Sequence, residues 1–367
     1  LAIKKRIATF APKKTPLTAI SQRATQQKGG LFFTNNCTMT NKLFIMIALL
    51  AVVACTDPKE KEIAAIPMPF QTVRLDSLFV KVPDAKLAAL RKQYPYFFTS
   101  SISDAEWIDI RNGRIFPEEP SVDLYYADLY NEIEKNVGNF SEEKKQLKSL
   151  FQHIKYYFPK FTPPKVITLI SRVDYESRVI YADSLLLIGT DNYLGTKHKF
   201  YQEMDAYIAA ELDKQFLIVD VADAFADKLV PRGGVYLTFL DNMIYEGKKL
   251  YLESQLLPKK SMADLLHYDS QKYEWAEANE PEIWRYFIEK QLLYQTDKKL
   301  LTRFIYPAPF SKFYLELDNQ SPGQIGKFIG LRIVQAFAQK HQELPLPKLL
   351  AMNPEELFKQ SGYKPNK

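Results

Sequence analysis

Cysteine is nearly absent from this chain. Of 367 residues only Cys37 and Cys55 are cysteines, so a disulfide framework and a thiolate metal cluster are both excluded. Histidine is scarce too. His153, His198, His267 and His341 are the four, and no two lie four residues apart, which rules out the H-E-x-x-H helix of metallopeptidases. Neither a G-x-S-x-G nucleophile elbow nor a G-x-x-x-x-G-K-[ST] phosphate loop occurs. Gly247-Lys248 and Gly326-Lys327 lack the earlier glycine and the hydroxyl residue of the latter. The three tryptophans, Trp107, Trp275 and Trp284, are scattered and form no sugar-stacking platform. The apolar run 43–54 spans 12 residues, short of the roughly 20 a transmembrane helix needs.

Acidic residues are missing from one end. Before Cys55 there are eight basic residues, from Lys4 to Lys42, and no acid. Without them the formal charge of +6 becomes about −2. The basic balance therefore belongs to the leader, and it points to no nucleic-acid partner.

That leader has an internal plan. Met39-Thr40-Asn41-Lys42 is followed by the uncharged run Leu43–Ala54 and then Cys55, the proportions of a secretory signal peptide. Val52-Val53-Ala54-Cys55 resembles the lipobox of bacterial lipoproteins, in which a small residue precedes the cysteine whose thiol is acylated. Residues 1–38 are read as an upstream extension, with translation starting at Met39. Residues 39–54 are read as the signal peptide and Cys55 as the lipidation site, carrying palmitate-type chains. Several chains together, at about 0.8 kcal/mol per buried methylene, make a stable anchor. Residues 55–69, rich in charge and proline, are expected to be an irregular tether. Thr56 after the lipidated cysteine resembles the outer-membrane sorting signal.

Residues 70–367 are expected to form a single α+β domain, predominantly helical. Charged helices are predicted near 84–93 and 141–157. A small β-meander is predicted over 166–189, from Val166–Ser171, Arg178–Asp183 and Ser184–Gly189. Ile218, Val221, Ala222, Phe225 and Leu229 recur at helical spacing. So do Leu240, Met243, Ile244, Gly247 and Tyr251, and then Trp284, Phe287, Ile288 and Leu292. Asn279, with Glu282 three residues on, is placed as the cap of that third helix. A last helix is predicted from Ser321-Pro322 to about His341. Gly323, Gly326 and Gly330 on one face would let another element approach closely. The acids of 203–227, Glu203 to Asp227, are read mostly as a solvated face.

A resemblance runs through this domain. It is carried by Tyr94-Pro95-Tyr96-Phe97-Phe98, by Tyr156–Phe161 and by Leu187-Ile188-Gly189-Thr190-Asp191-Asn192-Tyr193-Leu194-Gly195. Met243-Ile244-Tyr245-Glu246-Gly247-Lys248 and Asn279-Glu280 before Ile283-Trp284 follow. Ser321-Pro322-Gly323-Gln324-Ile325-Gly326 and Ser361-Gly362-Tyr363-Lys364-Pro365 complete it. In this order, behind a lipobox, they resemble the gliding-motility lipoprotein B (GldB) family of Bacteroidetes. The resemblance implies an envelope role in surface gliding, linked to type IX secretion, with other envelope proteins of that machinery as partners and no known reaction. A more distant likeness is to zincin peptidases: a strand ending near Gly189, a helix near 203–215 and a later helix carrying Glu246-Gly247. Setting Glu211 on the catalytic glutamate puts Ala210 and Lys214 where histidines belong and Glu246 at the third-ligand position. That implies a zincin shell without its metal, with Glu211 and Glu246 as vestiges.

The expectation is thus a non-enzymatic lipoprotein, held at the outer membrane with its domain in the periplasm or at the cell surface. No catalytic residue, metal or cofactor is expected. A degenerate or divergent zincin-like hydrolase and a glycan-binding lipoprotein are the alternatives.

Overall fold

The structure, a computed structural model, describes residues 57–95, 97–98, 100–112, 126–182, 184–232, 238–316 and 318–365. Cys55 and the leader lie outside the described residues, as does the signal-peptide reading. Residues 57–367 cluster as one compact unit. Its described part is predominantly helical with a small mixed sheet, the α+β class read from the sequence.

The folded unit starts earlier than expected. Part of the stretch assigned to a tether forms helix α1, Pro58–Ala64. Asp57 caps it by accepting from Lys59 N at 3.0 Å, Pro58 holds the first helical position, where its missing N–H costs nothing, and Ile63 is 1% exposed. Gln152 donates to the carbonyls of Ala64 and Ile66, and His153 faces Glu60 at 3.2 Å. Local charge and proline content argue against order here, but one buried isoleucine and these tertiary bonds outweigh them.

Four strands follow in the order β1-β2-β4-β3: β1 (Thr72–Arg74), β2 (Lys165–Leu169), β4 (Leu185–Gly189) and β3 (Val179–Ala182). The strand segments of 166–189 are where the sequence put them, but they do not form a meander. β4 pairs antiparallel with β3 and then inserts beside β2, in parallel. β2 is apolar on both faces and is buried from both sides, as a parallel central strand requires. Ile167 points into a cluster with Leu75, Phe79, Leu87, Leu90, Phe98 and Trp107, built on α2 (Leu75–Lys81), α3 (Asp84–Gln93) and α4 (Asp104–Arg111). Val166, Leu186 and Ile188 point into the main core on the other side, with α5 (Tyr126–Asn136) and α6 (Ser141–Tyr157). Asp76, 1% exposed, fastens the sheet by accepting from Thr168 Oγ1 at 2.7 Å and Thr190 Oγ1 at 3.0 Å.

The helix expected near 203–215 is broken. It contains α7 (Ala206–Ala209) and a short 3-10 turn, Lys214–Phe216. The Leu212 carbonyl accepts from Gly195 N at 3.1 Å instead of continuing a helix, and Asp213 caps Gln215 N at 3.0 Å. The long helices come after it: α8 (Leu217–Leu229), α9 (Phe239–Leu256), α10 (Met262–Leu265), α11 (Ser270–Glu289), α12 (Lys299–Phe304) and α13 (Ile325–Lys340), then α14 (Leu346–Ala351) and α15 (Pro354–Ser361). Asn279 does not start a helix. α11 begins at Ser270, capped by Asp269 through Lys272 N at 2.8 Å, and runs on through Pro281. Asn279 sits in its interior, donating to Trp275 O.

The helix starts at Ile325, later than Ser321-Pro322, so of the expected glycine face Gly323 falls outside it, where a Cβ would lie 2.0 Å from Ala308 O; Gly326 and Gly330 lie on α13, which crosses α9 at Gly330. A Cβ on Gly330 would lie 1.8 Å from Met243 O, and one on Gly247 would lie 2.2 Å from Gly330 C. The two backbones touch, which only glycine permits.

Candidate functional site: a charged cleft between two helices

α8 and α9 pack side by side and carry the same pattern. Asp220, Asp223 and Asp227 on α8, and Glu246, Lys249 and Glu253 on α9, each fall at i, i+3 and i+7, which puts each trio on one helix face. The opposite face of α8, with Ile218, Val221, Ala222 and Phe225, is buried in the core. Both charged faces line a cleft of about 610 Å³. Its remaining charges are Glu176, Arg178, Glu211, His267 and Lys327, and its apolar walls include Val179, Ile208, Leu265, Leu266 and Pro307.

Asp220 is 8% exposed and fully engaged. Arg178 grips it with Nε at 2.7 Å and Nη2 at 3.0 Å, Tyr193 donates at 2.8 Å, and His267 Nε2 lies 3.0 Å away. Burial alone would push this carboxyl up, but the Arg178 guanidinium and the His267 ring hold it well below the usual carboxylate range. His267 is fixed by the Phe216 ring, 4.6 Å away between centroids.

Arg178 is aimed by the loop after β2. Arg172 and Val173 both adopt positive φ, 60° and 62°, which is strained for a β-branched residue. Asp191, wholly buried, holds that turn by accepting from Ser171 N at 2.9 Å and Val173 N at 2.5 Å. Burial pushes its own carboxyl up.

Lys249 occupies the middle of the cleft floor. Its Nζ lies 2.8 Å from Asp223 and 2.7 Å from Asp227, with Glu246 at 3.7 Å. Burial would lower its pKa, but the carboxylates of Asp223, Glu246 and Asp227 raise it far above the ordinary lysine value. Glu253, 1% exposed, goes the other way. Burial and the adjacent Asp223 charge push it well above the usual range, so it holds its proton more tightly than an ordinary glutamate.

The structure brings Glu211 and Glu246, the two residues singled out from the sequence, into this one cleft. Glu211 lies beyond α7, not within a helix, and accepts from Arg178 Nη2 at 3.3 Å. Glu246 sits on α9 between Lys249 and Lys327, 3.7 Å from each. The acids read mostly as a solvated face divide: Glu203, Asp205 and Asp227 are exposed, and Asp220 is buried. Asp223 and Asp227 keep about half their side-chain exposure, but they bind Lys249 across the helix interface. Arg178, Asp220, Lys249, Glu253, His267 and Lys327 were not anticipated. The signal that could have found them is the matched spacing on successive helices. Among the described residues no group of three or more His, Cys, Asp or Glu side chains is arranged to hold a metal ion, and no helix is long and apolar enough to cross a membrane.

The profile of the gliding motility protein GldB family matches residues 56–365. The chain belongs to the GldB family. The match covers all the described residues, including α1 and the charged cleft, and GldB membership implies involvement in gliding motility. No curated protein and no solved structure matches the chain, so the zincin likeness finds no support among solved structures.

Proposed function

We propose that this GldB-family chain is a non-enzymatic cell-envelope lipoprotein of the gliding machinery, linked to type IX secretion. Cys55 holds it on the outer membrane, and its domain works by binding other envelope proteins. The observation that supports a binding role is the Lys249 ammonium, seated between Asp223 and Asp227. Where a metallohydrolase needs donor atoms open to an ion and water, this cleft spends its carboxylates on the chain's own cation. Deleting the gene should stop colony spreading and reduce secretion of surface adhesins. The wild-type gene should restore both, and Cys55→Ser should lose lipid labelling and fail to restore them. Normal spreading by the deletion strain would refute the motility role, and a labelled Cys55→Ser protein would refute the anchor.

One arrangement favours a hydrolase as the second reading. Glu253, whose carboxyl is pushed up, stands beside Asp223, whose carboxyl is held down, and two carboxyl groups with pKa values pushed apart are the layout of acid–base catalysts. Casein cleavage by the purified chain, abolished by Glu253→Gln, would establish it.

A further inference from the structure

The cleft has more acceptors than its own donors can fill. Even without Glu253, six carboxylates face the three cations Arg178, Lys249 and Lys327, with the His267 ring beside them. Two acceptors are specifically short of partners. Glu246 is 16% exposed, and its two nearest ammonium groups, on Lys249 and Lys327, stand at 3.7 Å, beyond hydrogen-bonding distance. Glu253 Oε1 is buried with no hydrogen-bond partner at all, although buried polar atoms in folded proteins are almost always satisfied. The oxygen itself is shut from solvent, but Glu253 belongs to the wall of the cleft, so a turn of its side chain would present the carboxyl to a ligand. The same cleft is lined by Ile208, Leu265, Leu266 and Pro307, with the Tyr175 and Tyr207 rings, a lining that suits a methylene stem.

We infer that the cleft receives a primary ammonium on an aliphatic stem, either a lysine side chain of a partner polypeptide or a free diamine, with Glu246 and Glu253 Oε1 as the acceptors left open for it. An anion is disfavoured by the excess of carboxylates, and a neutral stem would leave both acceptors unfilled. The inference concerns the ligand of the cleft and stands whether or not the chain acts in gliding.

Binding should also move a proton. Glu253 is faced by Asp223 from α8, by Lys249 from its own helix and by Lys327 from α13. Burial and Asp223 favour its protonated form. An added cation favours the ionised form, so seating the ammonium should release a proton from Glu253 to solvent.

The test is isothermal titration calorimetry on the purified full chain, in two buffers of different ionisation enthalpy. The probes are acetyl-Gly-Lys-Gly-amide, the same peptide with norleucine for lysine, and 1,5-diaminopentane. The lysine peptide or the diamine should bind, with buffer-dependent heat showing proton release, and the norleucine peptide should not. Peptide binding without diamine binding assigns the site to a polypeptide; the reverse assigns it to a small amine. Glu246→Gln should weaken the ligand at least tenfold without changing the circular dichroism spectrum, and Glu253→Gln should abolish the buffer dependence. Absence of binding by both amines, equal binding of the norleucine peptide, or unchanged affinity in Glu246→Gln would each overturn the inference.

Discussion

Lys248 and Lys249 are neighbours on α9, both nearly inaccessible at 1% and 6% exposure, and they live in opposite surroundings. Lys248 turns away from the cleft and donates to the carbonyls of Leu350 and Met352 at 3.0 and 2.5 Å, capping the end of α14. Among the described residues no carboxylate pairs with its charge, and burial pushes its pKa down to about 8. Lys249 turns into the cleft and meets Asp223 and Asp227. One helix therefore has a dry back, where backbone touches backbone at Gly247 and Gly330, and a charged front. On the back, shape decides stability. On the front, pairing decides it, and carboxylates are left over.

The back should be the more fragile. Gly330→Val puts side-chain atoms where a Cβ alone already lies 1.8 Å from Met243 O. Backbone on both sides leaves nothing to move aside, so the loss should be about 4 kcal/mol or more. Urea unfolding of the variant, with Asp227→Asn on the front as the comparison, checks this. Asp227 is half-exposed, and its variant should lose at most about 1 kcal/mol. Equal losses would erase the distinction between the faces.

The lysine pair sharpens the contrast through pH. Lys249→Met leaves Asp223 and Asp227 facing each other and should cost about 2–3 kcal/mol. That cost should stay constant between pH 7 and 10. The folded pKa of Lys249 is raised, so its contribution is complete below the unfolded value of 10.5 and is lost only at still higher pH. Lys248 has the opposite sign. Between about 8 and the ordinary 10.5, the unfolded chain holds one more proton than the folded chain, so stability rises with pH across that window. The wild type should therefore gain about 1–3 kcal/mol on Lys248→Met between pH 7 and 10. Unfolding curves for both variants at the two pH values would show it. A Lys249 gap that moves while the Lys248 gap stays fixed would reverse the assignments.

The sequence carries these two faces unequally. The apolar framework is largely legible: helix bounds at 84–93 and 141–157, the apolar stripes and the close approach at Gly330 follow from spacing within one element. The charged front is only half legible. Glu211 and Glu246 follow from the distant zincin likeness, and the helix it gives Glu211 is broken up by Gly195 and Asp213. Arg178, Lys249 and Glu253 gain their meaning from which helices face each other, and spacing within one helix does not carry that. The strand order escaped for the same reason. β3 and β4 form the expected antiparallel pair, but the insertion of β4 beside β2 is decided by burial of β2 on both faces. α1 escaped because tertiary bonds from Gln152 and His153 support a segment whose local composition argues against order.

The central claim is that the cation of the cleft is the chain's own Lys249 and that the site binds without metal chemistry. Thermal unfolding of the purified full chain with EDTA, and then with increasing zinc, tests it most directly. The melting temperature should stay the same throughout. A rise of several degrees that saturates at one zinc per chain and is reversed by EDTA would contradict it.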